Sequence, residues 1–217
     1  MTRSGFNSAG RLPMRGRVGP MRIGVIGSGS VGRALGQAWG RSGHDVTVGV
    51  RDVATSVEGV RTGPVDEVIE IAEVVVLAVP GAAVAGLAAA NAGALAGKLV
   101  IDAANRMGDE RLNSLPELRD HVPGLRYVRA FNTLGWENFA DPVYDGVVAD
   151  LFFAASDADA EQAGRLIRDV GLRPVHVGDD AAVDIIDGVA RLWFALVFGR
   201  GHHRRLAFRV LDESGGS

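Results

Sequence analysis

Residues 22–36 read RIGVIGSGSVGRALG. A short apolar run is followed at once by Gly27, Gly29 and Gly32 in G-x-G-x-x-G spacing, and then by Val31, Ala34, Leu35, Ala38 and Trp39 at the three-and-four intervals of one helical face. Strand, glycine turn and helix in that order suit close contact with a pyrophosphate. Gly27 permits the tight turn, Gly29 lets the backbone approach the phosphates, and Gly32 lets the helix pack closely on the strand with its amino terminus toward the anion. A glycine-rich turn without a ligand has the same spacing, so the rest of the chain has to support the reading.

It does so by alternation. HDVTVGV (44–50) reads as a second strand, PVDEVIEIA (64–72) as a helix opened by Pro64, and EVVVLAVP (73–80) as the strand after it. An Ala-rich helix is expected over 82–96, then strands in KLVIDAA (98–104) and LRYVRAF (125–131). A further strand, helix and strand follow in VADLFFAAS (148–156), DAEQAGRLIRDVG (159–171) and LRPVHVG (172–178). Strands apolar on both faces and separated by helices imply an α/β fold with a doubly wound, mostly parallel sheet.

The chain has 217 residues, 47% of them hydrophobic, enough for one substantial core and too few for a large separate substrate domain. A net charge of −3 and a pI of about 5.9 give no reason to expect nucleic acid or a membrane surface as partner. The absence of cysteine removes disulfides, thiolate nucleophiles and cysteine-ligated metal, and fits a cytoplasmic setting. None of the five histidines is paired in sequence with a carboxylate in a triad or metal pattern. Residues 1–20, rich in arginine and glycine and without an acid, read as a disordered leader, and Met21 stands where a native start would lie. Residues 21–180 are expected to form the dinucleotide-binding domain, and 181–217 a helical element. Its apolar run 183–198 is too short to span a bilayer, carries Asp184, Asp187 and Arg191, reads as buried in protein, and suggests a homodimer.

The choice of dinucleotide is made at the end of the second strand. An NAD site places Asp or Glu there to bind the ribose hydroxyls; here Val50 holds that position and Arg51 follows, which favours the 2′-phosphate of NADP unless Asp52 turns in or Arg51 is simply a solvated surface residue. Ligands of such sheets lie beyond the carboxyl ends of the strands. AVPG (78–81), DAAN (102–105) and FNTLGW (131–136) converge there with the glycine loop. Asn132 and Thr133 then stand where a nicotinamide would lie, and Trp136 either walls the pocket or packs in the core. Hydride transfer between planar rings needs positioning and no protein nucleophile, which agrees with the lack of an evident base.

With these motifs in place the chain resembles the NADPH-dependent reductases of coenzyme F420 and their bacterial dinucleotide-binding relatives. The likeness runs through MRIGVIGSGSVGRALG, GHDVTVGVRD, VVVLAVP, VIDAAN, RAFNTLGWENFADP and GRGHHRRLAFRVL. It implies a Rossmann-like domain with a small C-terminal helical element closing the cleft, and reversible hydride exchange between NADP and the deazaflavin F420. On this resemblance Gly27, Ser28, Gly29, Ser30, Val31 and Gly32 hold the phosphates and Arg51 the 2′-phosphate. Val79, Pro80 and Asn105 lie on the nicotinamide side, and Asn132, Thr133 and Leu134 face the deazaflavin. Three positions depart from the family: Val50 replaces a common Ser or Thr, Gly81 a bulky residue that is often tryptophan, and Asn132 the histidine of archaeal members. Arg200, Arg204, Arg205 and Arg209 are candidates for holding the acidic tail of F420. A reductase of another small acceptor, a flavin, imine or carbonyl, and an NADP-sensing protein without turnover stay open as alternatives.

Overall fold

The computed structural model describes residues 19–52 and 54–212; residues 1–18 of the expected leader lie outside the described residues. The chain begins β1 (Arg22–Ile26), α1 (Ser30–Arg41), β2 (Asp45–Val50), β3 (Arg61–Pro64), α2 (Val65–Ile71) and β4 (Val74–Leu77). It continues with α3 (Val84–Ala90), α4 (Ala92–Leu95), β5 (Leu99–Asp102), α5 (Leu115–His121), β6 (Arg126–Arg129) and α6 (Glu137–Ala140). Last come β7 (Val143–Tyr144), β8 (Val147–Val148), β9 (Asp150–Ala155), α7 (Asp157–Val170), β10 (Arg173–Gly178) and α8 (Val183–Phe194), the last running into a π turn at Ala195–Gly199.

The eight-stranded sheet has the order β10-β9-β6-β5-β4-β1-β2-β3, and all neighbours from β3 across to β6 are parallel. The order reverses direction between β1 and β4, which is where an open sheet of this kind leaves a crevice. β9 runs antiparallel to β6, and β10 parallel to β9. Between β6 and β9 the chain has only the short α6 and the β7–β8 hairpin, with no crossover helix to carry it back to the amino edge, so it re-enters the sheet reversed. The hairpin closes through Asp145 and Gly146, at φ +48° and +85°, the left-handed pair that a two-residue turn of matching twist requires.

The helix expected over 82–96 is broken at Asn91, whose Nδ2 donates to the Leu87 carbonyl at 3.0 Å in competition with the helical ladder. Each face of the sheet has its own core. Leu35 and Trp39 of α1 and Leu166 and Ile167 of α7 cover one face; Ile69 of α2, Val84 and Ala88 of α3 and Leu118 of α5 cover the other. α8 joins both, with Val183 and Ile186 in the second core and Trp193 and Val197 in the first. It is therefore less enclosed than its composition suggests: Ile185, Leu192 and Phe198 face outward.

Just past β6, Phe131 sits at φ +61°, a left-handed conformation that costs a non-glycine residue about 1–3 kcal/mol. An edge-to-face stack holds it there. The Phe131 ring lies 5.4 Å from that of Trp39 and 5.7 Å from that of Phe139, and the Trp39 Nε1 donates to the Leu166 carbonyl at 2.9 Å. The strained residue turns the chain so that residues 132–135 pass over the carboxyl ends of the strands. Trp39→Ala should therefore destabilise the protein by about 3–5 kcal/mol, read from the urea midpoint. A loss of less than about 1 kcal/mol would show that the stack does not hold the bend.

Candidate functional site

At the crevice, Gly27 adopts φ +115°, and a Cβ there would run into the Ala78 carbonyl at the end of β4. A Cβ on Gly32 would strike the Gly27 carbonyl. Both glycines are demanded by the protein's own packing. Gly29 differs: a Cβ there would meet no atom within 4 Å, so its bareness serves no internal contact and leaves space at the head of α1. Gly29 caps α1 without any side-chain acceptor, and the first turn contains no acid, so the leading N–H groups face outward unneutralised. Arg33 Nε donates to the Ser28 carbonyl at 2.7 Å and brings a guanidinium to the same rim. Val79 and Pro80 border the loop from the β4 side, Val79 packing near Gly27.

The end of β2 lies beside the glycine loop, the Gly27 N–H donating to the Gly49 carbonyl at 3.0 Å. Val50 is buried in the core and offers no polar atom, while Arg51 is exposed with no ion-pair or hydrogen-bond partner among the described residues. Asp52 is occupied in a turn of its own, its Oδ1 accepting from the Ala54 N–H at 3.0 Å.

On the other side of the glycine loop lies a cavity of about 280 Å³. Val31, Asn105, Asn132 and Leu134 line it, so residues expected from distant segments do come together. Asn132 is 3% exposed, and neither its Oδ1 nor its Nδ2 has a partner; the Thr133 Oγ1 is buried and equally unpartnered. Three buried, unpartnered polar atoms in adjacent residues each cost about 1–3 kcal/mol. Thr133 lies behind the wall and does not line the cavity.

Of the remaining walls the sequence offered only Trp136. Trp193, Phe194 and Phe198 come from the C-terminal helix and its π turn, Met107 from the β5–α5 loop, and Trp136 from the rim. Arg204 lies over the rings of Trp193 and Phe198, 5.6 and 5.7 Å from their centroids, and its Nε donates to Glu137 at 2.6 Å. Of the tail arginines only Arg204 lines this cavity. Arg205 binds Asp141 and the Val143 carbonyl, and Arg209 the Val148 carbonyl, both engagements that fasten the tail. Gly135 makes room for this docking, since a Cβ there would lie 2.6 Å from the Arg204 carbonyl.

Beneath the cavity floor Arg129 is completely buried. It is held between Asp102 on β5, 3.4 Å away, and Asp187 on α8, 2.8 Å away. Asp102 also accepts from the Ser114 N–H at 2.8 Å and the Tyr127 hydroxyl at 2.9 Å. Burial pushes the Asp102 carboxyl above its usual range, against the pull of Arg129 and of these donors; burial and the Asp102 charge push the Tyr127 phenol well up. Asp187 was legible in one respect: it falls on the helical face of Val183, Ile186 and Ala190, an acid at core spacing that demands a buried partner. A contact between His44 and Asp169, at 2.9 Å, lies by Met21 at the amino edge of the sheet, remote from the cavity. Among the described residues no cluster of three metal-ligating side chains occurs, and no helix is long and apolar enough to cross a membrane.

The whole chain can be set beside known proteins. A crystal structure from Arthrobacter sp. FB24, provisionally assigned as an F420-dependent NADP-reductase, superposes with a TM-score of 0.73 at 26% identity, covering 88% of this chain and 100% of that one. A hypothetical protein, SMa0349 from Sinorhizobium meliloti, gives 0.64 at 26% identity, over 75% and 87%. The reductive aminase of Aspergillus terreus, solved with NADPH and ethyl levulinate, gives 0.61 at 16% identity over 83% and 63%, a likeness of fold alone. No curated protein sequence matches the chain. The fold is that of an NADP(H)-binding oxidoreductase. The family model described as NADP oxidoreductase, coenzyme F420-dependent, matches residues 22–106, from the first residue of β1 to the rim of the cavity.

Proposed function

We propose that this protein exchanges a hydride between NADP(H) and the deazaflavin coenzyme F420. The observation that carries the reading is an aromatic cavity at the carboxyl ends of the strands, lined by Asn105 and Asn132 and containing no acid or base. A carboxamide has one acceptor and one donor group, the complement of the orphaned Asn132 side chain. In this reading the glycine loop, with Ser28, Ser30 and Val31, holds the pyrophosphate, and Arg51 the 2′-phosphate. Val79, Pro80 and Asn105 bound the nicotinamide side, and Asn132, Thr133 and Leu134 the side of the second ring.

Bound NADPH supplies the hydride; this chain's residues bind, orient and exclude water. The lining residues include no Asp, Glu, His, Lys or Tyr, and Arg204 is the one charged group among them. A carbonyl acceptor would develop an alkoxide with no protein group to protonate it, whereas a planar heterocycle can delocalise the incoming electrons and exchange protons with solvent. Trp136, Trp193, Phe198 and Met107 suit the faces and edges of such a ring. The same apolar exposure on α8, at Ile185 and Leu192, makes a homodimer through that helix the expected assembly.

Replacing Arg51 by Ala should weaken NADPH binding about tenfold or more while leaving NADH nearly unchanged, as measured by titration of each cofactor. An equal loss for both would mean that Arg51 acts on structure.

Gly32→Ala should abolish the binding of both cofactors, because the added methyl meets the Gly27 carbonyl. Retained NADPH affinity in that variant would remove the glycine loop from the site.

NADPH oxidation should be faster with F420 than with free flavin or a cyclic imine when the three are assayed side by side, and Arg204→Ala should raise the KM for F420 while leaving that for NADPH in place. Turnover of another acceptor but not F420 would reassign the second substrate. NADPH binding without turnover of any acceptor would favour a sensing protein.

A further inference from the structure

Asn105 lies on the rim of the aromatic cavity, and both ends of its side-chain amide are engaged. Oδ1 accepts from Arg129 Nη2 at 2.8 Å, and Nδ2 donates to the Asn132 carbonyl at 3.2 Å. The direction of the amide therefore depends on where the Arg129 guanidinium stands. Arg129 Nε and Nη2 both donate to Asp187 Oδ1, at 2.9 and 2.8 Å, and Nη1 donates to the Asp102 and Ala104 carbonyls, at 3.1 and 2.5 Å. The second oxygen of Asp187 accepts from the backbone and side-chain N–H groups of Asn113, at 2.9 and 2.8 Å. Asp187 itself does not line the aromatic cavity; it borders a separate charged hollow of about 560 Å³.

We propose that Asp187 is a positioning residue: acting through Arg129, it aligns the Asn105 amide toward the nicotinamide, so that the docking of α8 is transmitted to the reactive end of the cofactor. The inference rests on the placement of Asn105 at the nicotinamide side made above. The guanidinium is a rigid planar fork, so any shift of Asp187 turns the whole plane and moves Nη2, and with it Asn105. The flanking Asp102 carboxylate, 3.4 Å away, adds direction: without the charge of Asp187, Arg129 is drawn toward β5 and away from Asn105.

The test compares the affinity of the full-length protein for NADPH with that for 2′,5′-ADP, which has the phosphate end and lacks the nicotinamide. Asp187→Asn should weaken NADPH binding roughly three- to tenfold, the worth of about one hydrogen bond, and leave 2′,5′-ADP unchanged. In an Asn105→Ala background the same substitution should have no further effect, because the group it acts through is gone; a merely structural role gives the same loss in both backgrounds. Asp187→Glu keeps the charge and displaces the carboxylate by one methylene. It should show part of the loss, and it provides the measurement if Asp187→Asn does not fold. Full NADPH affinity in a folded variant, or equal losses with and without Asn105, overturns the inference. So does wild-type protein that binds NADPH no more tightly than 2′,5′-ADP, a result that leaves the phosphate end of the reading intact. Wild-type protein that binds neither overturns the cofactor reading, and this inference with it.

Discussion

A single buried guanidinium, that of Arg129, joins three elements of this molecule that are separate in sequence. It sits at the end of β6, takes its charge balance from Asp102 on β5 and Asp187 on α8, and binds the backbone carbonyls of Asp102 and Ala104. A buried ion pair of this kind is weak evidence of net stability, since desolvating both partners offsets most of their attraction. Removing one partner is another matter and costs about 3–5 kcal/mol, because the other is left charged in a dry interior. The arrangement therefore acts as a constraint more than as a glue. α8 can dock in the one register that brings Asp187 to Arg129, and the loop after β5 has to pass where Asn113 can reach the same carboxylate.

The bend at Phe131 is the second constraint, and it depends on the opposite kind of force. Its strain is met by apolar packing against Trp39 and Phe139, which tie it to α1 and α6. Strain and ion pair flank the same few residues: Arg129 immediately before the bend, Asn132 and Thr133 immediately after it. The polar groups of Asn132 and Thr133 are thus presented without partners by a backbone that has little freedom to satisfy them internally.

These two constraints explain what was legible in the sequence. The strand, glycine turn and helix at the start of the fold were, because the close approach of α1 to β1 and β4 demands Gly27 and Gly32 at fixed local spacing. The parallel half of the sheet followed from apolar runs alternating with helices. The reversal at β9 and the Asp145–Gly146 hairpin did not, although an Asp-Gly pair between Tyr144 and Val147 is a turn signal of the usual form. Nor did the break at Asn91, where one side-chain amide outweighs the helix propensity of the alanines around it. Apart from Trp136 the aromatic wall was beyond local reading, since Trp193 and Phe198 reach it only after α8 has crossed the sheet and the tail has folded back over Gly135.

That wall also accounts for the departure at Gly81. A Cβ at this position would lie 2.5 Å from the Arg106 Cγ and 2.9 Å from the Arg106 Cα, so the strand-end turn has no room for a bulky side chain. Arg106 cannot easily withdraw, because its guanidinium is paired with Asp109 at 2.9 Å and Glu117 at 3.0 Å. A ring on the β4 side of the cavity is thereby excluded, and the aromatic surface is supplied from the opposite side by α8 and its π turn. The consequence is a division of labour along the chain. The β1–β4 crevice contributes backbone and glycine, and the C-terminal element contributes the aromatic side chains of the cavity.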